Sequence, residues 1–161
     1  MRPGVRKAAL VAHVGTSVGW LGAVAASLVL AIVGIAAKDA DVTRSAYLVL
    51  EPMGWATLVP LSLASLVTGV VQAMGTAWGL LRHYWVVVKL VMNLFATGVL
   101  LLYMQTLSLL ADTARAAPAG DVSGLRSPSP VVHAAAAIGL LLVALVLSVY
   151  KPRGTLRWAR R

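Results

Sequence analysis

The chain has no cysteine, one phenylalanine and five acidic residues. Without cysteine there are no disulfides, no thiolate metal sites and no covalent c-type haem attachment, so a bound metal would rest on His, Met, Lys or carboxylate. Charged residues make up 12% of the chain, against about 25% in an ordinary soluble domain. No glycine-rich nucleotide loop and no nucleophilic triad can be read along it. Hydrophobic residues fill 60% of the 161 positions, which leaves room for one domain, 1–161, and no separate soluble one.

The apolar residues fall into four runs, about 8–37, 53–77, 84–111 and 131–150. A helix needs about 20 apolar residues to cross a hydrocarbon core about 30 Å thick, and each run reaches that length. Backbone groups at that depth find no water, so a crossing segment is a helix or part of a closed barrel. Runs of this length without period-two alternation exclude the barrel. The expectation is an all-α, four-transmembrane-helix bundle. A cleavable leader does not fit the first run: Arg2 to Lys7 resemble a basic n-region and Ala23-Val24-Ala25 a cleavage site, but the apolar stretch outruns the usual core of about 7–15 residues.

The net charge of +9 is unevenly placed. Arg2, Arg6 and Lys7 precede the first run, Arg82 lies between the second and third, and Lys151, Arg153, Arg157, Arg160 and Arg161 follow the fourth. The acids Asp39, Asp41, Glu51, Asp112 and Asp121 gather in the other two connections, beside Lys38, Arg44, Arg115 and Arg126. Basic residues beside short loops mark the cytoplasmic side, so both termini are expected inside, in a multi-pass plasma-membrane protein. The basic tails suit anionic lipid headgroups, and no nucleic-acid partner is expected. A homo-oligomer or a larger membrane complex stays open.

The connections read from their punctuation. Segment 38–51 is expected as an outer loop, with Pro52 in the first turn of the second helix. Segment 75–82 reads as a tight inner link with Gly75 and Gly79. Segment 115–130 is a polar loop, with Ser129 as N-cap and Pro130 as the first residue of the fourth helix. Interfacial anchors are expected at Tyr47 and Trp55 outside, and at Trp78, Tyr84, Trp85, Tyr150 and Trp158 inside.

Helical spacing also assigns faces. His13, Ser17, Trp20 and Val24 share one side of the first helix, and Gly15, Gly19 and Ala23 form a small-residue row suited to close approach. The second helix carries Ser62, Ser65, Thr68, Gln72 and Thr76, and the third carries Lys89, Asn93 and Thr97 one turn after Trp85. Such rows can be nothing more than interhelical hydrogen bonds. Lys89 has two readings: snorkelling to the inner headgroups, or an inward ammonium meeting a ligand carboxylate. His13 and His83 lie toward the same inner leaflet, and neutral imidazole is a ligand for iron, copper or zinc. A histidine pair on facing helices would hold b-type haem, with Arg82, Arg6 or Lys7 near its propionates. Bland readings stand beside these: His83 as an interfacial residue, and His13 as an interhelical hydrogen-bond partner. Outside, Glu51, Asp112 and His133 are either a hard-cation site or solvated helix ends.

The stretch His13-Val-Gly-Thr-Ser-Val-Gly-Trp20-Leu-Gly22 resembles the His-x6-Trp-x-Gly start of HemJ-type and CopD-like small membrane proteins. Thr68-Gly69, Trp78-Gly79-Leu80-Leu81 and Trp85 through Lys89-Leu90 resemble their second and third helices. With Val149-Tyr150-Lys151-Pro152-Arg153-Gly154, the chain looks most like an actinobacterial integral membrane family of this size. The HemJ-type resemblance implies haem-dependent oxidation of a porphyrin precursor, and it matches His13 and Lys89 to the helix-one histidine and helix-three lysine. The CopD-like resemblance implies copper handling. The chain departs from both at the end of the third run, where Tyr103-Met104 stand. On these grounds the expected cofactor is haem b, with copper as the alternative. The candidate residues are His13, His83, Lys89, Trp20, Asn93 and Arg82, with His13 and His83 as metal ligands. The competing class is non-catalytic: a metal- or solute-handling bundle, or an accessory subunit that packs and assembles.

Overall fold

The computed structural model describes residues 1–76, 79–152 and 154. Trp78, Arg153, Arg157, Trp158, Arg160 and Arg161 lie outside them. The order of elements is α1 (Pro3–Ala36), α2 (Ala40–Met53), a π-helical turn (Gly54–Leu58), α3 (Val59–Met74), α4 (Tyr84–Ala116) and α5 (Ser129–Tyr150), and the described residues contain no strand. Because α2, the π turn and α3 run on without a break, the described residues contain four candidate membrane spans.

The expected outer loop is therefore a helix. Asp39 caps α2, its carboxylate accepting the Asp41 backbone N–H at 2.8 Å. Thr43, Ala46, Tyr47 and Leu50 are buried along it. Their spacing of three, one and three is that of one helical face, and it turns the charged residues between them outward. Pro52 lies inside α2 rather than at a helix start. Proline lacks the N–H and its ring crowds the carbonyl four residues back. Pro52 and Pro60 bracket the π turn, which closes with the Val59 N–H on the Gly54 carbonyl, one residue wider than an α bond. Gly54 gives Met104 its room, since a Cβ would stand 2.6 Å from the methionine methyl and push it aside.

α1 packs on α2, α3 and α5, and α4 packs on α2, α3 and α5, while α1 and α4 make no backbone approach to each other. They are thus the diagonal pair of the bundle. One end collects Met1, Gly75, Tyr84 and Gly154: a Gly75 side chain would strike Met1, and the Tyr84 N–H donates to the Gly154 carbonyl at 3.4 Å. Met1 and Gly154 thus lie together at this basic end. α1 starts at Pro3, suited to a first helical position, so Arg6 and Lys7 ride exposed on its first turns.

The acidic end is closed. Segment 117–128 folds over it and inserts Leu125, 1% exposed, among Ala31, Tyr47, Leu50, Met104 and Leu107. Tyr47 is core rather than an interfacial anchor: it is 1% exposed and donates its hydroxyl proton to the Ser127 carbonyl at 3.3 Å. Gly34 lets α1 meet its ring, since a Cβ would lie 3.0 Å from it. Arg126 and Arg44 donate to the carbonyls of Ala37 and Arg115. In the loop, the Ser123 backbone N–H holds the Asp121 carboxyl below its ordinary range. Ser129 is helical, and Pro130 sits one residue further into α5 than expected. Trp55, Tyr84 and Tyr150 are exposed, as anchors would be.

Candidate functional site: a polar seam in the basic half

Between α1, α3 and α4 the bundle is joined by hydroxyls, an amide and one imidazole. The Ser17 and Ser65 hydroxyls meet at 2.9 Å, Asn93 donates its amide N–H to Ser65 Oγ at 3.4 Å, and Thr97 donates to Asn93 Oδ1 at 3.5 Å. Ser65 is 2% exposed. One turn toward the basic end, His13 Nδ1 and the Thr16 hydroxyl each lie 3.2 Å from Thr68 Oγ1. The rows read from sequence on the first three spans therefore face one another.

The hydrogen bonds assign the histidine tautomer. Thr68 donates its proton to the Ala64 carbonyl at 2.6 Å, so its oxygen can only accept from the imidazole. Nδ1 then carries the proton, and Nε2 keeps its lone pair. Gly69 makes room for the ring: a Cβ there would stand 3.0 Å from His13 Cε1 and 3.7 Å from Nε2. A neutral imidazole oriented through its other nitrogen is the usual state of a metal-binding histidine.

Lys89 is at the depth of His13. Asn93 meets Ser17 through Ser65, and Lys89 and His13 each lie one turn from that level toward the basic end. Lys89 does not point at His13, however. It donates to the Ser148 hydroxyl of α5 and lies 5.7 Å from the Trp85 ring centroid, a cation–π contact. Ser148 was the signal for this partner, as a lone hydroxyl late in an Ala- and Leu-rich helix.

His83 lies nearer the basic end than Lys89. It precedes α4 in an extended conformation, and its carbonyl accepts the Val86 and Val87 N–H groups. Six residues separate it from Lys89, about 9 Å of helix rise. Arg82 is exposed in the basic-end link, beside Gly79, whose φ of +64° is a left-handed turn that glycine permits. Trp20 is 2% exposed and lies toward the acidic end, packed with Val24, Leu58 and Ala134 rather than in the seam. Gly15 faces open space, whereas Gly19 would place a Cβ 3.5 Å from Leu61. The small-residue row thus leaves the helix contact at its first member.

His13 is the imidazole of the seam that could ligate a haem iron or a copper ion. Among the described residues no three His, Cys, Asp or Glu side chains gather as a metal cluster, so a copper centre at His13 would depend on neighbouring oxygen donors. The outer trio is not a cation site, because Arg115 already pairs with Glu51 and with Asp112, the latter at 2.6 Å. His133 turns away, with Nδ1 on the Ser129 carbonyl at 2.9 Å and its ring stacked on Tyr103 at 3.9 Å. No family model, curated protein or solved structure matches this chain.

Proposed function

We propose that this integral membrane bundle binds b-type haem in its basic half, with His13 Nε2 as axial ligand, and works in redox or porphyrin-related chemistry. The observation that carries the reading is the His13–Thr68–Ala64 hydrogen-bond chain, which holds an imidazole in a fixed orientation inside a membrane span. The resemblance at His13, Trp20, Gly22 and Lys89 to HemJ-type proteins points the same way. Bound there, haem supplies one-electron chemistry whose potential follows its axial ligand and surroundings. Thr68 orients the ligand, and Gly69 leaves it space. Lys89, exchanging Ser148 for a carboxylate at the same depth, would hold a propionate or an acidic substrate. The seam lies toward the basic end, which we read as cytoplasmic, with both termini inside the cell and the basic tails on anionic lipid of the plasma membrane.

The hydroxyl pairs themselves favour a second reading, in which the seam only assembles the bundle or a larger complex. Absorption spectra of detergent-purified protein, with haem supplied and then with dithionite, separate the two. A Soret band that sharpens and shifts on reduction supports haem; a colourless protein defeats it. Metal analysis of the same sample tests copper. For orientation, single cysteines at Ser45 and Ser123 should react with an impermeant reagent in intact cells, and one at Arg2 only after permeabilisation. Labelling at Arg2 from outside would invert the topology.

A further inference from the structure

The basic end of the α4–α5 seam holds a charge that no acidic side chain of the protein answers. Lys89 lies half-buried within the third membrane span, with its ammonium on the Ser148 hydroxyl and 5.7 Å from the Trp85 ring centroid. Ser148 gives its own proton to the Ala144 carbonyl at 2.9 Å, so its oxygen accepts from the lysine. An ammonium carries three N–H donors; the hydroxyl takes one, and the ring offers only a π face. All five acidic side chains, Asp39, Asp41, Glu51, Asp112 and Asp121, belong to the other end. A cation within a membrane span is costly and ordinarily paired, so the counter-charge is expected from outside the bundle.

The surroundings say which anion fits. Lys151 follows Ser148 by three residues, about one helical turn, and stands exposed at the C-cap of α5, its N–H on the Leu147 carbonyl at 3.2 Å. The bond from the Tyr84 N–H to the Gly154 carbonyl holds the start of α4 beside the segment that follows α5. Tyr84 and Tyr150 are exposed at the same level, where aromatic side chains mark the headgroup boundary. The anion abundant at that boundary is the phosphate of a lipid.

We propose that the basic end of the α4–α5 seam binds one anionic glycerophospholipid. A phosphate oxygen accepts from Lys89, whose ammonium keeps Ser148, and Lys151 meets the same headgroup from the membrane surface. Basic pockets between membrane helices recognise anionic headgroups in this way. A zwitterionic headgroup fits less well, because its own ammonium would be a third cation beside the two lysines. This is a single stoichiometric site, distinct from a general attraction of the basic tails to the surface. It does not rest on the haem reading: a propionate needs the Ser148 bond exchanged, whereas a phosphate leaves it in place.

The test is native mass spectrometry of the full chain, purified in detergent without added haem and titrated with dioleoylphosphatidylglycerol or dioleoylphosphatidylcholine. Wild type should retain one phosphatidylglycerol, about tenfold more tightly than phosphatidylcholine. Lys89→Met should weaken that lipid about tenfold, and Lys151→Gln, at the exposed helix end, about threefold. Arg2→Gln in the basic tail and Lys38→Gln at the acidic end remove the same charge elsewhere, and should leave the affinity within about twofold. If Lys89→Met fails to fold, as its melting curve would show, Lys151→Gln decides alone. Equal affinity for the two lipids, or a loss in the lysine variants no greater than in Arg2→Gln, would overturn the site. Millimolar inorganic phosphate should not displace the lipid; displacement would overturn the lipid assignment in favour of a free anion.

Discussion

At the acidic end, α2 and segment 117–128 close over Tyr47, Met104 and Leu125, three large side chains at 1% exposure. At the basic end the helices meet through Ser17–Ser65, His13–Thr68 and Lys89–Ser148, and no comparable apolar cluster covers them among the described residues. Helices in lipid gain no hydrophobic energy from leaving it, so packing and interhelical hydrogen bonds are what remain to join them. The acidic half relies mainly on the first, and its polar contacts, such as Tyr47–Ser127 and Arg115–Glu51, lie around that core. The basic half uses the second, and it carries the groups capable of ligation.

That contrast can be broken in graded steps. Met104→Ala should destabilise most, by about 2–5 kcal/mol, because the close packing at Gly54 and Leu107 leaves a cavity that cannot collapse; thermal unfolding in detergent measures it. Gly19→Leu should follow at about 1–3 kcal/mol, since it forces Leu61 of α3 away, while Gly15→Leu, facing open space, should change little. Equal melting temperatures for these two would mean that α1 does not pack on α3 through Gly19. Ser65→Ala removes the hydroxyl shared by Ser17 and Asn93, and should cost about 0.6–2 kcal/mol. Tyr47→Phe keeps the packed ring and loses the bond to Ser127, so about 0.5–1.5 kcal/mol is expected. If Ser65→Ala proved more damaging than Met104→Ala, the assignment of packing to one end and hydrogen bonding to the other would be wrong.

The spans were legible because hydropathy over about 20 residues depends little on tertiary contacts. Segment 38–51 was not, because Asp39, Asp41, Arg44 and Glu51 conceal the Thr43, Ala46, Tyr47, Leu50 face that makes it a helix. Its charges read as loop, although a helix leaving the hydrocarbon can carry them on its outer side. The members of the seam were legible as rows on each span, and the matched depth of His13 and Lys89 followed from counting turns. Their partners were not legible, since a row does not say which neighbour it faces: Lys89 turned to α5, and Trp20, on the same side of α1 as His13, went to the apolar half. Proline spacing alone gave no sign of the π turn between Pro52 and Pro60, which only the backbone bond from Val59 to Gly54 reveals.

The claim that His13 is a haem ligand rather than a packing contact is tested most directly by one pair of spectra. His13→Ala and His133→Ala, purified with haem supplied, are compared with wild type in the Soret region. The account predicts a wild-type band that His13→Ala abolishes or reduces severely, because the axial bond has no replacement in that pocket, and that His133→Ala, at the opposite end, leaves intact. A band lost in His133→Ala and kept in His13→Ala would contradict it.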